Sequence, residues 1–258
     1  MARGVSVTAI VLAGQRPGRD PLAVHFGIEM KALVPLAGEP MVRRPVRALV
    51  ASPAIGRVMV LAQQRDRVAV ALGAIDQAEV RESRGSIAET ILALCADPAT
   101  PWPLLVTTAD HALLDPAMVA EFVGKATGAD IAVGVVEKAL LERRLPQTKR
   151  TWIALGRESV TGANLFWLAT PRVAPAVELW RSVEQDRKKA WRLIALLGPF
   201  WLAMAAMRMV ALDDLAARLG VRLGLKVRAV RLSDPLAGVD VDSLADHQLV
   251  EAIIAGQV

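Results

Sequence analysis

An α/β domain with a mostly parallel sheet is the fold class this sequence predicts, and three observations carry it. Short apolar runs recur at Val5–Leu12, Arg57–Ala62, Pro103–Thr108 and Ile131–Val136. Segments with helical signals separate them, the alternation expected of a parallel sheet covered on both faces. With 53% of its 258 residues apolar, the chain can bury a sizeable core and is not disordered.

In chain order, Val5–Leu12 is a buried strand that feeds a turn rich in Gly, Pro and Arg. Gly14 and Gly18 carry no Cβ, so backbone N–H groups there lie open to an approaching phosphate. Lys31 adds a mobile positive charge for the same phosphates. The stretch Ala9–Pro40 therefore reads as a nucleoside triphosphate site. Pro40–Val50 predicts a helix with proline in its first turn. Arg57–Ala62 is a second strand, Asp66–Leu72 a short helix, and a third strand precedes Gly85. Ser86 and Glu89 have the spacing of a capping box, opening a helix through Leu94. Pro103–Thr108 is the fourth strand, ending in Thr108-Ala-Asp110-His111, and Asp115-Pro116 caps a helix to Thr127.

Beyond the strand Ile131–Val136, Thr151–Leu155 and Asn164–Leu168 are expected as strands around a turn-rich Gly156–Gly162. Helices are expected over Pro175–Gln185, Ala190–Leu197 and Phe200–Met209, and over Asp213–Leu219 with a stop at Gly220. Lys226–Leu232 and Gly238–Val241 read as strands. Ser243 and Asp246 repeat the capping-box spacing ahead of a closing helix to Ile254.

A net charge of +5 does not require nucleic acid; anionic small substrates or an acidic membrane surface suit it equally. Aromatics are only 4%, with no Tyr, which argues against base-stacking platforms and so against nucleic acid as a partner. Cys95 is the only cysteine, so no intrachain disulfide forms, and it is expected in the core of a protein from a reducing compartment. Met1–Gly14 runs directly into the motif stretch and is not read as a signal peptide. Leu193–Met207 is uncharged but falls short of the roughly 20 residues of a spanning helix. A cytoplasmic protein is expected. The basic Arg187-Lys188-Lys189 beside apolar Trp191–Met209 offers a peripheral contact with the inner face of a membrane through about 187–209. A subdomain core or a homodimer contact are the other readings of that stretch. His25 and His247 are read as surface residues.

Ligands of open α/β sheets bind beyond the carboxyl ends of the strands. Three features sit at such ends: the glycine turn after Leu12, Asp110, and Asp240-Val-Asp242. Two carboxylates from distant strand ends beside a phosphate loop suit Mg2+, which takes oxygen ligands and substrate phosphates.

These residues carry a resemblance. Leu12-Ala-Gly14 followed by Lys31-Ala-Leu-Val-Pro-Leu-Ala-Gly-Glu-Pro-Met41 resembles the signature of MobA-like NTP transferases, nucleotidyltransferases of GT-A fold. Thr108-Ala-Asp110-His111 resembles their metal-binding segment, Thr161-Gly-Ala-Asn164 the segment that meets the acceptor, and Asp240-Val-Asp242-Ser-Leu-Ala-Asp246 the one supplying a second metal ligand. The resemblance implies a Rossmann-like three-layer nucleotidyltransferase fold with a helical insertion in the C-terminal half. Residues 1–258 would form one domain, with a nucleotide-binding half 1–137 and an acceptor-binding half 138–258 whose insertion spans about 172–220. It implies Mg2+-dependent transfer of an NMP from an NTP to a phosphorylated small-molecule acceptor, with release of pyrophosphate.

The roles implied are catalytic for Lys31 and Asp110, and nucleotide-binding for Leu12, Ala13, Gly14, Arg16, Lys31 and Ser86. Asp110, Asp240 and Asp242 would serve the metal and Asn164 the acceptor. From their charge rather than the resemblance, the basic clusters with Lys149, Arg150, Arg187 and Lys188 are read as binding the acceptor's phosphate or anionic lipid headgroups, with a solvated helix face as the alternative. His111 is expected to act through structure rather than as a general base. The chain departs from the family at Gln15, where a second glycine is usual, in a long loop before Lys31, and in Ser243-Leu-Ala for Thr-Pro-Glu. Two alternatives remain: a GT-A glycosyltransferase using Asp240-Val-Asp242, and a non-catalytic nucleotide-binding or membrane-associated regulator. The C-terminal position of Asp240 and the intact Lys31 segment argue against the first.

Overall fold

The computed structural model describes residues 6–15, 18–75, 77–83, 85–184, 198, 204, 207 and 209–258. The strands are β1 (Val7–Leu12), β2 (Pro35–Leu36), β3 (Glu39–Pro40), β4 (Ile55–Ala62), β5 (Ala78–Glu82), β6 (Leu104–Thr108), β7 (Ile131–Glu137), β8 (Ile153–Leu155), β9 (Glu158–Leu168) and β10 (Val227–Arg231). The described helices are α1 (Pro21–His25), α2 (Arg43–Ala51), α3 (Arg65–Leu72), α4 (Ile87–Ala96), α5 (Pro116–Ala126), α6 (Lys138–Arg144), α7 (Ala174–Glu184), α8 (Leu212–Leu223) and α9 (Leu244–Ile254).

The main sheet has the order β10-β7-β9-β6-β1-β4-β5, with β8 pairing onto β9, while β2 and β3 form a separate hairpin. Along that order β9 alone runs against its neighbours; the β1–β4, β1–β6, β4–β5 and β7–β10 pairs are all parallel. The side chains of β1 show why its sequence is apolar at every position but Thr8, which is itself buried. Val7, Ala9 and Val11 enter one core with Val46 and Leu49 of α2 and Phe122 of α5, whereas Ile10 and Leu12 enter a second with Ile91 of α4 and Val177 of α7. Successive strand residues point to opposite faces, so a strand covered on both is a near-continuous apolar run. This is the three-layer α/β fold expected from the sequence.

Helix starts follow their predicted caps. Ser86 and Glu89 exchange bonds as a capping box at α4, Asp115 accepts from the Met118 N–H at α5, and Ser243 and Asp246 close a second box at α9. Each such cap stabilises its helix by about 1 kcal/mol.

Several boundaries differ from expectation. Gly156–Gly162 is not a broad turn: Leu155 pairs with Glu158 across a tight reversal, and β9 runs unbroken through Gly162 to Leu168. Gly238–Val241 is not a strand, because Asp234 caps a short 3-10 turn over Pro235–Gly238. α8 passes Gly220 and ends at Gly224, which takes the left-handed conformation. Gly220 is needed for proximity instead, as a Cβ there would lie 2.5 Å from the Leu225 carbonyl oxygen. Pro40 belongs to the β2–β3 hairpin, and α2 begins at Arg43. His247 is buried rather than on the surface: its Nε2 lies 2.7 Å from the Pro35 carbonyl oxygen, and its ring packs against Phe26. Cys95 is half-buried against the second core, and burial pushes its thiol pKa up.

The helices expected over Ala190–Leu197 and, apart from Met204, Met207 and Met209, over Phe200–Met209 lie outside the described residues, as do Arg16 and Arg187-Lys188-Lys189. No described helix is long and apolar enough to cross a membrane.

Candidate active site

Sheet register builds the site. Leu12 pairs with Thr108 and with Leu61, so the chain leaving β1 runs between the chains leaving β6 and β4. The pairing continues one step further, with the Ala13 N–H donating to the Leu61 carbonyl (2.9 Å) and the Ala109 N–H to the Leu12 carbonyl (3.0 Å). Asp110 therefore emerges beside Ala13 and Gly14. On its other side β6 pairs with β9 only over Leu104–Val106, and the sheet opens beyond it. In that opening Asn164 sits at φ 47° in an irregular stretch of β9, a left-handed conformation that asparagine tolerates better than most residues.

Lys31 comes to the site from a loop held firmly at its ends. Asp20 caps α1, and Met30 and Ala32 on either side of Lys31 are buried. The Val42 N–H donates to the Ala32 carbonyl (3.0 Å) and the Met41 N–H to the Val34 carbonyl (2.9 Å). With its backbone fixed, Lys31 sends its Nζ to Asp110 Oδ2 (2.7 Å) and Asp242 Oδ1 (2.5 Å). Burial pulls the ammonium pKa down, but the charges and hydrogen bonds of Asp110 and Asp242 outweigh it, leaving the group above the usual lysine range.

The Asp240–Asp242 segment is tied in by its own backbone, the Val241 N–H donating to the Asp110 carbonyl (3.1 Å). Asn164 Nδ2 donates to Asp240 Oδ2 (3.1 Å). Arg150 takes the other oxygen through Nη1, which also donates to the Asp240 carbonyl (3.1 Å). Arg150 Nη2 lies 2.9 Å from Asp246 Oδ1, in the capping box of α9. Burial raises the Asp240 carboxyl pKa and the neighbouring Asp242 charge adds to it; Arg150 offsets part, and Asp110 raises it further. Thr108 Oγ1 donates to Asp110 Oδ1 (2.5 Å). His111 is buried, its Nδ1 3.3 Å from Thr107 Oγ1, and burial lowers its pKa to about 4, so the ring is neutral at neutral pH.

The structure thus brings Lys31, Asp110, Asp240, Asp242 and Asn164 together at the carboxyl ends of β1 and β6. Lys149 is exposed nearby in sequence, whereas Arg150, expected to face the acceptor, is turned inward onto Asp240 and Asp246. Ser86 Oγ accepts from the Glu89 N–H (3.3 Å), and the Ser86 N–H donates to Glu89 Oε2 (2.8 Å). Arg16, Arg187 and Lys188 lie outside the described residues. Gln63 is a residue that sequence reasoning missed. It accepts from the Gln15 N–H through Oε1 (2.6 Å) and donates to the Gln15 carbonyl through Nε2 (3.1 Å), holding the glycine turn like an added strand partner. A Cβ on Gly14 would stand 3.3 Å from that amide. Its position just past β4, next to the turn after β1, was the available signal.

Among the described residues no group of three or more His, Cys, Asp or Glu side chains is arranged to hold a metal ion. The donor chemistry nonetheless fits a hard cation. Among the described residues, these three carboxylates pair with two cationic side chains, Lys31 and Arg150, and Asp240 feels the repulsion of both other carboxylates.

Comparison with known proteins bears on the family and the fold. The profile of the MobA-like NTP transferase domain matches residues 9–200. A hypothetical transferase from Thermus thermophilus is 31% identical, covering 94% of this chain and 99% of its own, with a TM-score of 0.79. A CMP:2-keto-3-deoxy-manno-octonic acid synthetase complexed with CTP has a TM-score of 0.61 at 11% identity, covering 98% of this chain and 100% of its own. The 4-diphosphocytidyl-2C-methyl-D-erythritol synthase from Anaerococcus prevotii has a TM-score of 0.57 at 10% identity, with coverages of 98% and 97%. The last two establish likeness of fold. No curated protein matches the sequence.

Proposed function

We propose that this chain, which belongs to the MobA-like NTP transferase family and is a nucleotidyltransferase, moves an NMP from an NTP to a phosphorylated small-molecule acceptor and releases pyrophosphate. The observation that carries the reading is Lys31 bonded to Asp110 and Asp242 beside the glycine turn. An acceptor phosphate is already ionised at neutral pH, so the protein has to position and neutralise rather than deprotonate. That matches a site whose one buried histidine, His111, is held neutral and turned to Thr107.

Each side chain then has a task. The backbone at Leu12, Ala13 and Gly14, with Lys31, holds the triphosphate, and Lys31 stabilises charge that develops on it in the transition state. Ser86 at the start of α4 serves the nucleotide, and Arg16 is assigned the same role from its place in the sequence motif. Asp110 and Asp240, with Asp242 beside them, would hold Mg2+ through their carboxylate oxygens. Bound there, Mg2+ would supply Lewis-acid polarisation of the phosphoryl oxygens. Asn164 and Lys149 serve the acceptor, and Arg187 and Lys188 are assigned to it from their charge in the sequence alone. The chain acts as one domain, with nucleotide handling by residues 1–137 and acceptor handling by 138–258.

Mass spectrometry of a nucleotide-by-acceptor panel tests the proposal. The expected product is the acceptor plus one NMP, with pyrophosphate in equal amount. A sugar transferred from a nucleotide-sugar would mark a glycosyltransferase, and tight NTP binding without any product would mark a regulator.

A further inference from the structure

The cation closest to the carboxylates of this site belongs to the chain itself. Lys31 Nζ bridges Asp110 Oδ2 (2.7 Å) and Asp242 Oδ1 (2.5 Å), and only 17% of the lysine side chain is exposed. The third carboxylate, Asp240, is gripped at one oxygen by Arg150 and at the other by Asn164. Each of the three therefore already has a partner from within the chain, although one lysine is shared between two of them. An ammonium in this position fills the space between Asp110 and Asp242, and its charge repels a second cation approaching the same oxygens.

The arrangement can also be undone without moving the main chain. The backbone at Lys31 is anchored by buried Met30 and Ala32, while its four-carbon stem can swing. On the outer side of the bridge the Asp242 side chain is 67% exposed, so an incoming anion can reach the ammonium from solvent. A triphosphate carries more negative charge than the two carboxylates it would compete with.

We propose that Lys31 is the resident counter-ion of the Asp110–Asp242 cluster before substrate arrives, and that it excludes a free divalent cation until the phosphates of the nucleotide draw it away. Metal and nucleotide then enter together, and the lysine passes from carboxylates to phosphates in the same event. The inference rests on the transferase reading and adds an order of events to it.

The test uses Mn2+ alone, titrated into the nucleotide-free full-length chain and followed by its EPR signal. Lys31→Met should bind Mn2+ at least about tenfold more tightly than wild type, since it removes a like charge within the cluster. Lys31→Gln should show the same gain and serves if the Met variant does not fold; Lys31→Arg should stay near wild type. The gain should vanish when Asp110→Asn is added to either neutral variant. Equal Mn2+ affinity in wild type and the neutral variants, with Asp110→Asn still weakening it, overturns the inference and leaves the metal reading intact. Affinities indifferent to both Lys31 and Asp110 overturn the inference and the metal assignment together.

Discussion

Arg150 and Asp240 are joined twice: Arg150 Nη1 donates to the Asp240 carbonyl at 3.1 Å and to its carboxylate, while Nη2 reaches Asp246 Oδ1 at 2.9 Å. The Arg150 side chain is only 6% exposed, so it acts as an internal clamp between the site and the cap of α9.

Arg150→Met is accordingly expected to leave two carboxylates unpaired and to destabilise the fold by about 3–5 kcal/mol, the usual scale for breaking a buried pair on one side. Arg150→Lys, which can reach one partner at a time, should fall between. Urea denaturation midpoints at neutral pH measure both.

Asn164 separates backbone from chemistry. Asn164→Gly keeps the left-handed backbone and loses the bond to Asp240, about 1 kcal/mol. Asn164→Val adds roughly 1–3 kcal/mol of backbone strain. If the amide serves the reaction, transfer falls by a similar factor in both, while only the Val variant melts well below wild type.

His111 makes stability depend on acidity. Its folded pKa of about 4 lies below the ordinary 6.5, so the neutral ring contributes stability that is complete above pH 6.5. That contribution is lost as pH falls from 6.5 through 4, up to about 3 kcal/mol in all. Urea melts across this window should be steeper in wild type than in His111→Phe; parallel curves would contradict the buried neutral ring.

Gln63→Ala should raise the KM for nucleotide several-fold while changing kcat little. It frees the Gln15 N–H and carbonyl and loosens the glycine turn without touching Asp110 or Lys31. Steady-state kinetics with the best nucleotide and acceptor found in the panel check it.

The parts of this molecule legible in its sequence are those fixed by local chemistry. The apolar run of β1, the caps Ser86, Asp115 and Ser243, and the placement of Asp110 past β6 depend on neighbours a few residues away, and all stand where expected. What escaped depends on distant partners. Gly162 suggested a turn, yet it lies in β9 opposite Val135, and the local irregularity falls at Asn164. His247 is buried because the β2–β3 hairpin folds over it, and Arg150 turns inward because Asp240, 90 residues later, comes to meet it. Gln63 holds the Gln15 backbone from 48 residues away along the chain, a partnership that no local pattern announces.

Catalysis of nucleotidyl transfer by Lys31 and Asp110, as proposed above, is tested most directly by pyrophosphate release from wild type, Asp110→Ala and Lys31→Ala. Wild type should release pyrophosphate with at least one NTP and phosphorylated acceptor, and each variant, still folded, should lose on the order of 100-fold or more. Release unchanged in Asp110→Ala, or NTP bound tightly by wild type with no release for any acceptor, would contradict it.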